Sequence, residues 1–156
     1  MEWLEWLGSL PHAELLRRFS TLYLLVNAAH ILGIGLLMGA ILPLDLRLIG
    51  VLRQGPIAVL APFLVRVAAT GFVLAMLTGL MLFSVKPTEY AGNPAFLAKV
   101  GLVVIGLLNV VAQHRHAGGR WMGRGEEPPI SARLLAGLSF AIWLSALVAG
   151  RWIGFI

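Results

Sequence analysis

The 156-residue chain is 59% hydrophobic and only 12% charged, where soluble domains carry about a quarter charged residues. A 16.8 kDa globule in water has too much surface for its volume to hide that apolar content, and a mean hydropathy of +0.89 agrees; the composition is that of an integral membrane protein. The absence of cysteine excludes disulfides, thiolate zinc sites, iron–sulfur clusters, covalent c-type haem and cysteine nucleophiles. In such a chain a net charge of +5 points to topology and anionic headgroups, and not to nucleic acid.

In chain order, Glu2 and Glu5 stand where a signal peptide needs positive charge, so the N-terminus reads as retained. Trp3, Leu4, Trp6 and Leu7 predict a short interfacial helix before Pro11 turns the chain inward. Four segments then reach the ~20 apolar residues a bilayer crossing needs: Thr21–Leu44, Ile57–Val85, Pro94–Gln113 and Ser131–Phe155. Pro43 lies near the end of the first, with Gly39 four residues earlier to relieve its ring, which predicts a gentle kink. The connections RQGP, KPTEYAGNP and HAGGRWMGRGEEPP are rich in turn formers. Asn93-Pro94 is a cap-and-proline start for the third span, and Ser131 after Pro128-Pro129 is the expected cap of the fourth. No stretch alternates with period two, which disfavours a β-barrel. The expected fold is all-α: a four-helix up-and-down membrane bundle forming one domain over residues 1–156.

Lys and Arg set the expected orientation. Seven (Arg47, Arg53, Arg66, Arg115, Arg120, Arg124 and Arg133) flank the first and third connections, against five (Arg17, Arg18, Lys86, Lys99 and Arg151) on the other side. Both termini are therefore expected outside, in a bacterial inner membrane, with two basic cytoplasmic loops.

Polar groups inside a span are expensive and ask for a reason. His30 lies nine residues past Thr21, ~13 Å into the first span. Tyr23, Asn27, His30 and Ile34 share a face expected to point into the bundle, while Gly35 and Gly39 form a GxxxG pair on another face, suited to a neighbouring helix or chain. A mid-membrane imidazole serves either as hydrogen-bonded glue between helices or as a metal ligand, above all an axial ligand of haem b. Met76, at a similar depth of ~13 Å from Val85, is a candidate second ligand. His114 is a weaker one, because it and His116 sit at the far end of the third span. Lys99 and Arg151 are candidate partners for haem propionates or lipid phosphate, and Trp143 is a candidate aromatic wall. Gly150 and Gly154 make a second GxxxG. Asp45, Arg47 and Arg66 predict a structural ion pair just beyond the first span. No phosphate loop, nucleophile–base pair, intramembrane carboxylate pair or dinucleotide fingerprint is present, so a redox role points to electron transfer. The other readings are copper or small-molecule transit along His30, Met76 and Met81, and a ligand-free accessory subunit, or homo-oligomer, packing through its glycine faces.

The run Tyr23–Gly50, with His30, Leu32-Gly33, Gly39 and Asp45-Leu46-Arg47-Leu48-Ile49-Gly50, resembles an uncharacterised family of small bacterial four-helix membrane proteins. The likeness continues through Thr78-Gly79, Phe83, Asn93 to Lys99, Asn109, Leu138-Ser139, Trp143 and Gly150-Arg151, and implies fold and topology but no activity. The first span, with a histidine, a glycine nine residues on and a basic residue near its end, is also distantly similar to two other groups. These are membrane proteins related to J-type protoporphyrinogen oxidase and the membrane domain of copper-resistance D-type proteins. Those groups place a tryptophan between histidine and glycine, whereas Ile31–Met38 has none. The likeness implies haem or copper at His30.

Overall fold

A computed structural model describes residues 2–53, 55–116 and 127–155; the side chain of His116 and the basic, glycine-rich stretch 117–126 lie outside the described residues. Among the described residues seven helices follow in order: α1 (Glu2–Gly8), α2 (Pro11–Arg18), α3 (Ser20–Ile49), α4 (Ile57–Val85), α5 (Pro87–Gly92), α6 (Pro94–His116) and α7 (Ile130–Trp152), closed by a 3₁₀ turn, Ile153–Phe155. The four long helices α3, α4, α6 and α7 have the length and apolarity to cross a membrane. The all-helical membrane bundle expected from the sequence is therefore the observed architecture.

Most boundaries follow local chemistry. The Asn93 carboxamide oxygen accepts from the amides of Ala95 (3.0 Å) and Phe96 (3.1 Å), capping α6 as its Asn-Pro start requires. α3 continues through Pro43 to Ile49, five residues beyond the expected end, and stops at Gly50. There a φ of +97° suits glycine, and its amide closes on the Leu46 carbonyl. Asp45 and Arg47 are thus helical. Ser131 is not the cap of α7: the helix starts at Ile130 with Pro129 at the cap position. Its first turn is tied instead by Arg133, which donates to the Pro128 carbonyl (3.1 Å) and to the Glu127 carboxylate (2.7 Å).

Two antiparallel hairpins, α3–α4 and α6–α7, join through α3 and α7. At the α3–α4 crossing the contact is backbone on backbone. A Cβ on Gly33 would stand 2.7 Å from the Ala75 nitrogen, and one on Gly71 2.5 Å from the Leu37 nitrogen. The glycines that let the helices touch are therefore Gly33 and Gly71. A Cβ on Gly35 or Gly39, the expected packing pair, would meet nothing within 4 Å among the described residues. Between α6 and α7 the Trp143 indole fills the space over Gly106. Among the described residues no Cα of α4 comes within 8 Å of one in α6, so the two hairpins diverge along that side.

Both chain ends lie at one end of the bundle, called here the terminal end; the α3–α4 and α6–α7 connections lie at the other, the loop end. Asn93, at the start of α6, donates to the Ile153 carbonyl at the end of α7 (3.4 Å). Arg17 of α2 donates to Val85 at the end of α4 (3.1 Å) and to Gly8 (2.5 Å). Leu4 and Leu16 are buried beneath these short helices while Trp3 and Trp6 stay exposed, and the short N-terminal helix expected from the sequence is present as α1.

Candidate functional site

His30 occupies a gap made by a missing side chain. A Cβ on Gly79 would lie 3.0 Å from the ring carbon Cε1, so the ring fits beside α4 only because residue 79 is glycine. His30 Nδ1 is 2.9 Å from the Ala75 carbonyl and 3.1 Å from Thr78 Oγ1. The carbonyl can only accept, and the Thr78 hydroxyl spends its proton on the Leu74 carbonyl at 2.6 Å. Both partners of Nδ1 are therefore acceptors, and in the neutral ring Nδ1 carries the proton. Nε2 keeps its lone pair and has no hydrogen-bond partner among the described residues. That is the arrangement metal-ligating histidines adopt, with one ring nitrogen held by a carbonyl and the other free.

The side chain of Lys99 on α6 lies along Gly150, the Nζ 3.5 Å from where a Cβ would be, and its charge reaches the His30 ring. It is half-buried and makes no hydrogen bond or ion pair with any described residue. The terminal end above is roofed by aromatic rings: Phe83 stacks on Phe96 (5.3 Å between centroids) and Tyr90 tilts against both. Burial, and then Tyr23 beside it, push the Tyr90 phenol above its ordinary value. A half-buried imidazole with a free nitrogen, within the field of an ammonium unpaired among the described residues, suits a ligand that offers a metal or an anionic group.

The remaining predicted residues lie elsewhere. Asn27 is exposed, so the polar stripe of α3 does not turn wholly inward: Tyr23 and His30 are partly covered and the carboxamide between them is not. Met76 is 41% exposed on the flank of α4, about 100° round the helix from Ala75. His114 is exposed near the far end of α6 and donates from Nδ1 to the Val110 carbonyl of its own helix (2.9 Å). Trp143 is buried, but against Leu37 and Ile41, two turns or more along α3 from His30. Arg151 is exposed and stacks over the Phe155 ring at 4.9 Å. Of the other six candidates, Lys99 is the one whose charge reaches His30. Sequence reasoning missed the service of Ala75, Thr78 and Gly79, whose only signal was a threonine–glycine pair in an apolar run.

Among the described residues no three His, Cys, Asp or Glu side chains group as a metal site. No curated protein and no solved structure matches the chain. The model of one family does match, over residues 4–156, and the chain belongs to that family, DUF6644, a family of unknown function.

Proposed function

We propose that this protein binds haem b, with His30 as an axial ligand, and serves in electron transfer or as the membrane subunit of a redox complex. The observation that carries the reading is the bond from His30 Nδ1 to the Ala75 carbonyl, which fixes the ring and leaves Nε2 free. Haem would supply a one-electron couple, which no side chain in this bundle offers. Thr78 and Ala75 hold the imidazole plane, Gly79 gives it room, and Lys99 offers its ammonium to a propionate. The exposed flank position of Met76 gives the copper-transit reading no comparable support.

The test is a visible spectrum of detergent-solubilised protein, as isolated and after titration with hemin. The expected result is a Soret band in the wild type that His30→Ala loses and Lys99→Met weakens at limiting haem. A colourless protein that takes up no haem, or a His30→Ala variant with an unchanged band, refutes the proposal. His30 would then be what its bonds to Ala75 and Thr78 also make it, a tie between α3 and α4. The proposed setting is a bacterial inner membrane with both termini outside, and the open Gly35–Gly39 face of α3 supports association with a second helix there.

A further inference from the structure

Near the loop end, three helices bury a second group of polar side chains, and it is separate from His30. Asp45 of α3 and Ser139 of α7 are each 1% exposed, Trp143 2% and Asn109 of α6 6%. Ser139 and Gln113 present their polar ends to the Asp45 carboxyl. Yet among the described residues Asp45 Oδ2, Ser139 Oγ, Gln113 Nε2, Asn109 Oδ1 and Trp143 Nε1 all lack a partner at hydrogen-bonding geometry, as does Arg47 Nε on α3. Asn109 Nδ2 donates to the Leu135 carbonyl (3.1 Å). Polar atoms buried at this density cost free energy unless they are paired.

Among the described residues the charge is unpaired as well. The expected ion pair between Asp45 and Arg47 or Arg66 is not formed. Arg47 donates to the Gly55 carbonyl (3.2 Å), Arg66 on α4 is exposed, and Arg133 on α7 is engaged by Glu127. On α6, His114 and Arg115 are exposed. A buried carboxylate with no cation beside it is neutralised by taking up a proton or a metal ion. The donor set decides between them. Around a metal ion the orphaned oxygens would serve, but the Gln113 amide and Trp143 N–H groups would be turned toward positive charge. A carboxylic acid with water uses both kinds: its O–H and the water satisfy the acceptors, and its carbonyl oxygen and the water satisfy the donors. The site is also close to solvent, since Asp45 is four residues (~6 Å) from the end of α3. A cleft of about 650 Å³, lined by Arg47, Arg53, Pro56 and Arg133, opens at that end.

We propose that Asp45, Ser139 and Gln113 form a proton-binding site inside the bundle. The Asp45 carboxylate takes one proton from water at the loop end to become the acid, and returns it to water on release. Ser139 donates to the ionised form and Gln113 to either form. The proposal does not depend on what binds at His30.

The test is pH-difference infrared spectroscopy on the full-length protein in lipid nanodiscs. The expected result is a protonated-carboxyl C=O band that vanishes as pH rises and is absent from Asp45→Asn. Ser139→Ala, which removes the hydroxyl that donates to the carboxylate, should move the titration to higher pH. A band that does not titrate, or one unchanged in Asp45→Asn, overturns the proposal. So does a midpoint that follows Na⁺ or K⁺ concentration at fixed pH, which would mark a metal-ion site. Should Asp45→Asn fail to fold, Ser139→Ala decides, and an unshifted titration there overturns it.

Discussion

Gly71→Ala tests the contact on which the His30 site is built. The added methyl would lie 2.5 Å from the Leu37 nitrogen and 2.7 Å from the Gly33 carbonyl oxygen, both backbone atoms that cannot rotate aside. Ordinary contact begins at 3.4 Å, so α3 and α4 must separate locally by about 0.9 Å. Ala75 lies one turn from Gly71 on the same face of α4, so its carbonyl moves with the backbone. The 2.9 Å bond from His30 then opens to about 3.8 Å, beyond hydrogen-bonding range. Overpacking costs about 1–3 kcal/mol and a lost interhelical hydrogen bond in a membrane about 0.6 kcal/mol, so the expected loss is about 2–4 kcal/mol. The assay is unfolding in mixed dodecylmaltoside–SDS micelles, followed by circular dichroism. Gly35→Ala and Gly39→Ala are the controls for this crossing: among the described residues nothing lies within 4 Å of a Cβ at either position, and as monomers in these micelles both should unfold with the wild type. A Gly71→Ala protein as stable as the wild type, or a larger loss at Gly35, refutes the crossing described here.

Two further outcomes are expected. Asn93→Ala removes the acceptor for the Ala95 and Phe96 amides and the donor to Ile153, and should lower stability by about 1 kcal/mol in the same assay. Because the chain has no cysteine, Glu2→Cys and Glu127→Cys each give a single thiol on an exposed residue at opposite ends of the bundle. With both termini outside, an impermeant maleimide should label Glu2→Cys in intact cells and Glu127→Cys only after permeabilisation. The reverse pattern inverts the topology.

What the sequence made legible was whatever a short window decides. Four apolar runs of sufficient length give four helices, because a bilayer leaves the backbone no other way to satisfy its hydrogen bonds. The cap at Asn93 needs only its next three residues. Facing was not legible. In water a helix shows its inner side by a stripe of apolar residues, but in lipid both sides are apolar and no such contrast survives. The sequence offered Gly35 and Gly39 as a spaced pair on one helix, whereas the crossing uses Gly33 and Gly71 on two helices, a pairing no spacing rule connects. Asn27 was placed inward by its neighbours and lies outward for the same reason. Asp45 was misplaced because charge was taken to mark the end of the span, while α3 carries it on to Gly50 inside a polar pocket.

The two polar sites share α3 and little else. His30 and Asp45 are fifteen residues apart on that helix, ~22 Å along its axis. His30 is held from α4 by Ala75 and Thr78, and Asp45 is faced from α6 and α7 by Gln113 and Ser139. Between them α3 packs its Leu37 and Ile41 against Trp143, with no buried polar side chain on α3 in that interval. Side-chain hydrogen bonds therefore do not carry a proton from one site to the other along this helix. Any linkage between charge at His30 and proton occupancy at Asp45 has to run through movement of α3 itself, or through the field between two charges in a low dielectric. The packing separates those routes: Gly71→Ala displaces α3 from α4 and leaves Asp45, Ser139 and Gln113 unaltered. A shift of the Asp45 titration in that variant would identify the helix as the link.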